Sequence, residues 1–495
     1  MRKSFLAILS LIMVFGFLAA CSNKEETNQG DSKDSGKNGG ATTIRIVMKD
    51  DNSTNPVSEK YYDAIEKGLL EDENIKVNFE LVDLPQGNYA EKLNLLLNSG
   101  EIPDMIYFQG GDQAMAEQGL LEDLRPHIKD SKYLKDIIQP YNEKRLENYP
   151  YLLWIKPLAP KVPVIRGDWF NQMETSKALL ENPTVDNYYA FFKELVEKKP
   201  GSDKPNYAIT VAGDIAEIDY MFDMAFGINK TWLQKEDGSY EYARVSEQQK
   251  EKLEFYTKLY KEGLLDPQYL TKQWDTKEKA FFDGEAAIIP GTAGKVIDIY
   301  DGKMAQVSGE EASLVMLPPA KGEFQGFGST DVTKESRGIA ISANSKNKEL
   351  VFKVLDYMAS PEGQMIDRFG FEGEHYSTVD GKIQLTDKYY SEWFARFWEP
   401  VEFTPVTPID ETTPLLSETA AKSLESAEVF YEDDNSFIIS EEFVANWDAM
   451  QNLYKEFTTD IITGKRPISD FDKFVKEWNE AGGKQITEQA NKTLK

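Results

Sequence analysis

One cysteine and two histidines in 495 residues exclude a good deal of chemistry at once. With Cys21 alone, no internal disulfide can form. With His127 and His375 the only imidazoles, zinc sites of the Cys/His kind and a Cys-His nucleophile pair are excluded. Positive charge is also scarce: 56 Lys and Arg face 84 Asp and Glu, a formal net charge of −28. Nucleic acid is therefore excluded as a partner, because phosphate neutralisation needs clustered basic side chains. The acidity serves solubility and keeps the chain off anionic surfaces. No internal repeat is visible, and beyond residue 20 no apolar run approaches the length of a membrane span.

The first twenty residues are different. Arg2 and Lys3 precede an uncharged apolar stretch from Phe5 to Ala20, which ends in Leu18-Ala19-Ala20-Cys21. A cationic start, an apolar core and small residues before a cut site predict a secretory signal over residues 1–20. Sixteen residues at ~1.5 Å rise reach only ~24 Å, short of a ~30 Å hydrocarbon layer, which disfavours an uncleaved anchor. The Leu-Ala-Ala-Cys ending resembles the lipobox of bacterial lipoproteins. That resemblance implies a diacylglyceryl group on the Cys21 thiol, cleavage before it, and acylation of the new N-terminus. From Ser22 to Ala41 the chain lacks aromatic and branched aliphatic residues. Such a segment cannot bury apolar surface, and residues 21–42 are expected to act as a flexible leash, ~25 Å end to end by flexible-chain scaling.

The 475 residues after the signal suit two or three domains. Ile44-Arg45-Ile46-Val47-Met48 reads as the first core strand. Leu93, Leu96 and Leu97 lie at helical spacing in Tyr89–Asn98, Gly100 ends that helix, and Asp104–Phe108 follows as a strand. Ser246 with Gln249 predicts a capped helix, as does Ser360-Pro361-Glu362. Ser469 and Asp472 resemble a third capping box, before an apolar stripe of Phe471, Phe474, Val475 and Trp478 that is expected to pack in the core. Alternating short strands and longer helices predict an α/β protein.

The ordered motifs Ser99-Gly100-Glu101-Ile102-Pro103-Asp104, Gly119–Leu124, Phe282–Ile288, Val315-Met316-Leu317-Pro318-Pro319, Gly338–Ser342 and Ser360-Pro361-Glu362-Gly363 resemble the extracellular solute-binding proteins of ABC importers. Phe369–Tyr376 and Trp478–Gly483 are similar to the large oligosaccharide-binding lipoproteins of Gram-positive bacteria. The resemblance implies a two-lobe periplasmic-binding-protein-like (type II) α/β fold, with a ligand cleft between hinged lobes. By analogy, residues 43–163 and 338–371 form the first lobe, and residues 164–337 and 372–495 the second. The chain would cross near Pro163–Arg166, Ser336–Gly338 and Phe371–Ser377. The partners implied are a carbohydrate and the permease subunits of an ABC transporter, with the membrane touched through the lipid alone; the protein is expected to be a monomer without cofactor or catalysis. Many large members carry a calcium loop after the helix that here ends near Lys199. Lys198–Pro205 offers one acid among three lysines, so no metal is expected there.

Sugars present CH faces and hydroxyls, so aromatic platforms and amide or carboxylate groups are the residues to seek. Asp50, Asp51 and Asn52 follow the first strand, Gln109 and Asp112 follow another, and Thr292 sits in the turn after an apolar strand. Trp154, Trp393 and Trp398 are the candidate platforms, although for each tryptophan core packing is the readier explanation, and the Asp and Asn candidates are as often ordinary turn residues. The tripeptide Arg166-Gly167-Asp168 also occurs in adhesion ligands, but here the family pattern accounts for it. A secreted glycoside hydrolase, using two carboxylates, a surface adhesin, and a binder of peptides or other polar solutes are the alternatives.

Overall fold

The computed structural model describes residues 40–49, 51–84, 89–138, 140–155, 159–330, 337–393, 396–397, 408–437 and 439–494. Its strands in chain order are β1 (Thr42–Val47), β2 (Val77–Leu81), β3 (Met105–Gln109), β4 (Lys161–Arg166), β5 (Tyr207–Ile209), β6 (Trp232–Gln234), β7 (Tyr240–Tyr242), β8 (Ala286–Thr292), β9 (Leu314–Met316), β10 (Arg337–Ile341), β11 (Tyr376–Val379) and β12 (Lys382–Leu385).

The first lobe is built on a sheet of order β10-β3-β1-β2, parallel except where β10 runs against β3. Side chains alternate across a strand, so each strand serves two cores. Ile44, Ile46, Met105, Tyr107, Ile339 and Ile341 face one layer, with helices Pro56–Glu73 and Lys348–Met358. Val47, Ile106, Phe108 and Ala340 face the other, with Leu93 and Leu97 of helix Tyr89–Asn98. This near-continuous apolar pattern is what a sheet covered on both faces requires.

The second lobe is built on a four-stranded sheet of order β5-β8-β4-β9, in which only β5 and β8 run parallel, again covered on both faces. Ile165, Ile209 and Ile288 point into the larger core, while Val164, Ile289 and Leu314 meet helix Lys295–Ser308 on the other face. The C-terminal helices Val444–Ile462, Phe471–Trp478 and Lys484–Thr493 close this core with Met450, Phe457, Phe471, Phe474, Trp478 and Ile486. Trp478 stacks on Tyr242 of the β6–β7 hairpin, ring centroids 5.4 Å apart. The predicted stripe is therefore core packing. Burying a side chain of this size stabilises by roughly 1.5–3 kcal/mol.

Local signals are realised closely at two of the three predicted caps. The Ser246 hydroxyl accepts from the Gln249 amide at 3.2 Å, and Ser360 from Gly363 at 3.0 Å. The third differs: a 3-10 turn over Ile468–Asp470 leads directly into the helix, and neither Ser469 nor Asp472 caps it. Instead Asp472 receives the Lys250 ammonium at 2.9 Å.

Two of the three passages between the sheets differ from those expected. β4 is already an inner strand of the second sheet, so the first passage is complete before Lys161 rather than near Pro163–Arg166. The second lies between Thr330, which bonds to Glu432, and Arg337 of β10; Ser336 is outside the described residues. The third is displaced most. Chain beyond residue 371 stays on the first core, with Ile383, Leu385, Tyr389, Trp393 and Phe397 buried there and Leu415 packed beside them. Leu416, the next residue, joins the second lobe with Ala420. The cause is the β11–β12 hairpin and the helix Asp387–Glu392, which bring Trp393 back so that its indole N–H donates to the Asp367 carbonyl at 2.9 Å.

Candidate functional site

The two sheets meet the passages at particular strand ends, and those ends assemble the site. Gln109, last in β3, lies opposite Arg337, first in β10. Gly338 has φ +146°, and a Cβ there would stand 2.7 Å from the Leu153 carbonyl oxygen. Only glycine lets the departing chain lie this close, and Leu153 and Ile339 exchange backbone hydrogen bonds of 2.8 and 2.9 Å. Trp154 follows, half-buried, its ring 5.5 Å from that of Tyr107. A few residues on, Lys161 opens β4 opposite Thr292, the last residue of β8.

Around Lys161 the second lobe gathers an aromatic face and hydrogen-bonding groups. The Lys161 ammonium donates to the Thr292 hydroxyl at 2.9 Å and lies 3.8 Å from Glu217. Lys277, fully buried, donates to both Glu217 carboxylate oxygens at 2.7 and 2.9 Å and to the Pro290 carbonyl at 3.2 Å. Both ammoniums approach the Trp274 ring, at 4.5 and 4.1 Å from its centroid. Trp274 is nevertheless 41% exposed, at the first position of helix Trp274–Phe282. Burial pulls the Lys161 ammonium below the ordinary lysine range; Glu217 opposes this, while like charge on Lys277 and Arg337 adds to it. Arg337 of the first lobe is thus in electrostatic reach of Lys161 of the second.

Of the sequence candidates, Thr292 bonds Lys161 directly and Gln109 stands in register with Arg337 in the first sheet, while Trp154 lies on the segment between the two sheets. Others are placed elsewhere. Asp51 is buried inside the first lobe, where it accepts from Ser58, from the Tyr62 hydroxyl at 2.9 Å and from the Arg396 guanidinium at 2.8 Å. Its carboxylate is an internal counter-charge and does not face a ligand. Asn52 turns back on Thr54, accepting its amide at 3.0 Å and its hydroxyl at 2.6 Å, an Asx turn. Trp393 is core, against Tyr61, Phe371 and His375. Asp112 is buried, accepts from Tyr151 at 3.0 Å, and is pushed above the usual carboxylate range by that burial. It lines a first-lobe cavity of about 400 Å³ with Asn94, Asn98, Gln113 and Tyr149. Asp50, Trp398 and Cys21 lie outside the described residues.

Trp274, Lys161, Glu217, Lys277 and Arg337 were not foreseen. Trp274 sits in an unremarkable run, Gln273-Trp274-Asp275-Thr276, whose visible feature is helix-starting chemistry. Only the pairing of β4 with β8 brings Lys161 to Thr292, 131 residues away.

A second buried charge cluster lies within the second lobe. Lys252 bonds Asp219 at 2.7 Å and also Asp223, while Arg244 reaches Asp219 at 2.9 Å. Burial pushes the Asp219 carboxyl upward, but the two cations outweigh it and hold it below its ordinary value. Two cations and two carboxylates balance there.

Residues 52–365 match the model of the family described as bacterial extracellular solute-binding protein. The chain belongs to that family. This solute-binding protein is 23% identical over 529 residues to lipoprotein LipO of Bacillus subtilis (strain 168), covering 99% of the chain and 98% of the relative. It is 20% identical over 518 residues to the polygalacturonan/rhamnogalacturonan-binding protein YtcQ of the same organism, covering 99% and 98%. Among solved structures it resembles an HMO binding ABC-transporter associated solute-binding protein from Bifidobacterium longum infantis ATCC 15697, with a TM-score of 0.63 at 16% identity, covering 92% and 98%. That likeness establishes the two-lobe fold. No helix among the described residues is long and apolar enough to cross a membrane.

Proposed function

We propose that this protein captures an oligosaccharide between its lobes and hands it to the permease of an ABC importer, without catalysis of its own. The observation that carries the reading is Trp274, a 41% exposed indole whose ring lies 4.5 Å from the Lys161 ammonium, which itself bonds the Thr292 hydroxyl and lies 3.8 Å from the Glu217 carboxylate. An aromatic face beside convergent polar groups is the pairing that sugar rings require. The sugar-binding functions named for YtcQ and for the Bifidobacterium protein support it. Residues 42–155 with 337–415 act as one lobe, and residues 161–330 with 416–494 as the other. Ligand contact with both shifts an open–closed equilibrium that the permease senses. Lipid on Cys21 and the leash after it keep the monomeric body within reach of that permease.

Titrating tryptophan fluorescence against a panel of oligosaccharides and peptides tests this. A saturable change with intact sugar is expected. Released shorter sugars would show a hydrolase instead, and a response to peptides alone would move the protein to another ligand class. Cys21→Ala should abolish membrane fractionation and leave the titration unchanged; membrane retention without the thiol would refute the anchor.

A further inference from the structure

A cavity of about 230 Å³ lies inside the second lobe, between helix Ala216–Phe222, helix Val444–Ile462 and the 3-10 turn Tyr269–Thr271. Its lining shares no residue with the group around Trp274. Tyr269 lines it, 1% exposed, and its hydroxyl has no protein hydrogen-bond partner among the described residues. Gln451 lines it too. Its Oε1 accepts from the Tyr242 hydroxyl at 3.2 Å, while its buried Nε2 is likewise without a protein partner among those residues. The Tyr454 oxygen accepts from Gln249 at 2.9 Å and from Arg244 at 3.3 Å, which leaves the phenol proton to be donated. Buried polar groups are nearly always paired, so two unpaired donors on the wall of one cavity call for an acceptor inside it.

The charges on the wall say what kind of molecule that is. Arg244 is matched by Asp219 and Asp223, and Lys455 lies 3.9 Å from Asp214. The walls therefore ask for no ion. The Lys455–Asp214 pair is about half exposed, and it marks the side on which the cavity meets solvent. Ile215 and Ile462 add apolar wall beside the two tyrosines. The volume is below the roughly 300–1,000 Å³ of sites for drug-sized molecules, so a single ring fits and a chain of rings does not. We infer that this cavity is a second binding site, for a small neutral polyhydroxylated molecule the size of one sugar ring. Its oxygens accept from Tyr269, Gln451 and Tyr454, and its CH face lies on Ile215 and Ile462. This site stands apart from the sugar reading of the Trp274 region and needs no contact with the first lobe.

The experiment is calorimetric titration of the full-length chain with single neutral sugars: glucose, galactose, mannose and xylose. It is repeated on Trp274→Ala, which removes the aromatic face of the other site. Saturable binding of at least one sugar is expected in both proteins. Tyr269→Phe and Gln451→Leu, each added to Trp274→Ala, should weaken that binding by about three- to tenfold, the worth of one neutral hydrogen bond. Tyr269→Phe deletes only an unpartnered hydroxyl, so its melting temperature should be retained even if Gln451→Leu, which takes the acceptor from Tyr242, lowers stability. Heat from none of the sugars would overturn the inference, the cavity then holding water alone. Binding that vanishes in Trp274→Ala, or that keeps its full strength in both cavity variants, would place the sugars elsewhere and overturn it equally.

Discussion

Asp51 and Arg396 form an ion pair 345 residues apart in sequence, with both side chains almost wholly excluded from solvent. Tyr62 and Ser58 satisfy the remaining carboxylate lone pairs, and Arg396 also lies 4.3 Å over the Tyr61 ring. Removing one partner of such a pair leaves an uncompensated charge in the interior. Asp51→Ala should lower the unfolding free energy by about 3–5 kcal/mol, read by urea denaturation, while ligand affinity of the folded fraction is unchanged. A loss of affinity without loss of stability would return Asp51 to the binding site. Trp274 offers the converse case at the same scale. Its ring is partly open, so Trp274→Ala should weaken ligand binding by more than about tenfold and change the melting temperature little. Unchanged affinity in that variant would remove the platform.

Among the elements, helix Pro361–Phe369 shows how a local signal is placed under tertiary load. Ser360 caps it and is itself buried, and the helix carries Asp367, whose carboxylate accepts from the Tyr61 hydroxyl at 2.5 Å and the Arg396 amide at 2.9 Å. Ser360→Ala should cost about 1 kcal/mol, the usual worth of an N-cap, seen as a shift of the denaturation midpoint. A much larger loss would mean that the cap also holds the Asp367 network in place. The three cap motifs differ for a physical reason. Ser246 and Ser360 have extended backbones (ψ 163° and 161°), which carries each hydroxyl over the amides of the following first turn. At the third site the 3-10 turn Ile468–Asp470 runs into the helix through Asp470, whose backbone is already helical (ψ −7°), so no side chain is presented as a cap, and Asp472 pairs with Lys250 instead.

At the scale of the whole molecule, the cores of the two lobes share no buried residue among the described residues, and the chain passes between them three times. The third is the sharpest, since Leu415 packs on one core and Leu416 on the other. Few backbone torsions then need to change for the lobes to move as rigid bodies. A contact that spans them, the ion pair of Lys144 with Asp433, is about half exposed on each side and contributes little to holding them in one arrangement. Saturating ligand should therefore reduce the radius of gyration measured by small-angle X-ray scattering. An identical scattering curve with and without bound ligand would contradict hinge closure.

The sequence alone determined the α/β class, the strands beginning near Ile44 and ending near Phe108, the helix Tyr89–Asn98, two of the caps and the core character of the terminal aromatic stripe. Each of these depends on neighbours within a few residues, through side-chain alternation, helical spacing or an N-cap hydroxyl. Tertiary structure decided what lies between distant segments. It turned Asp51 inward to Arg396, folded the chain after Phe371 back over the first core, and carried Lys161 to Thr292 and Glu217 beside Trp274. Strand pairing and charge compensation act across hundreds of residues, and no local pattern records which acid will meet which base.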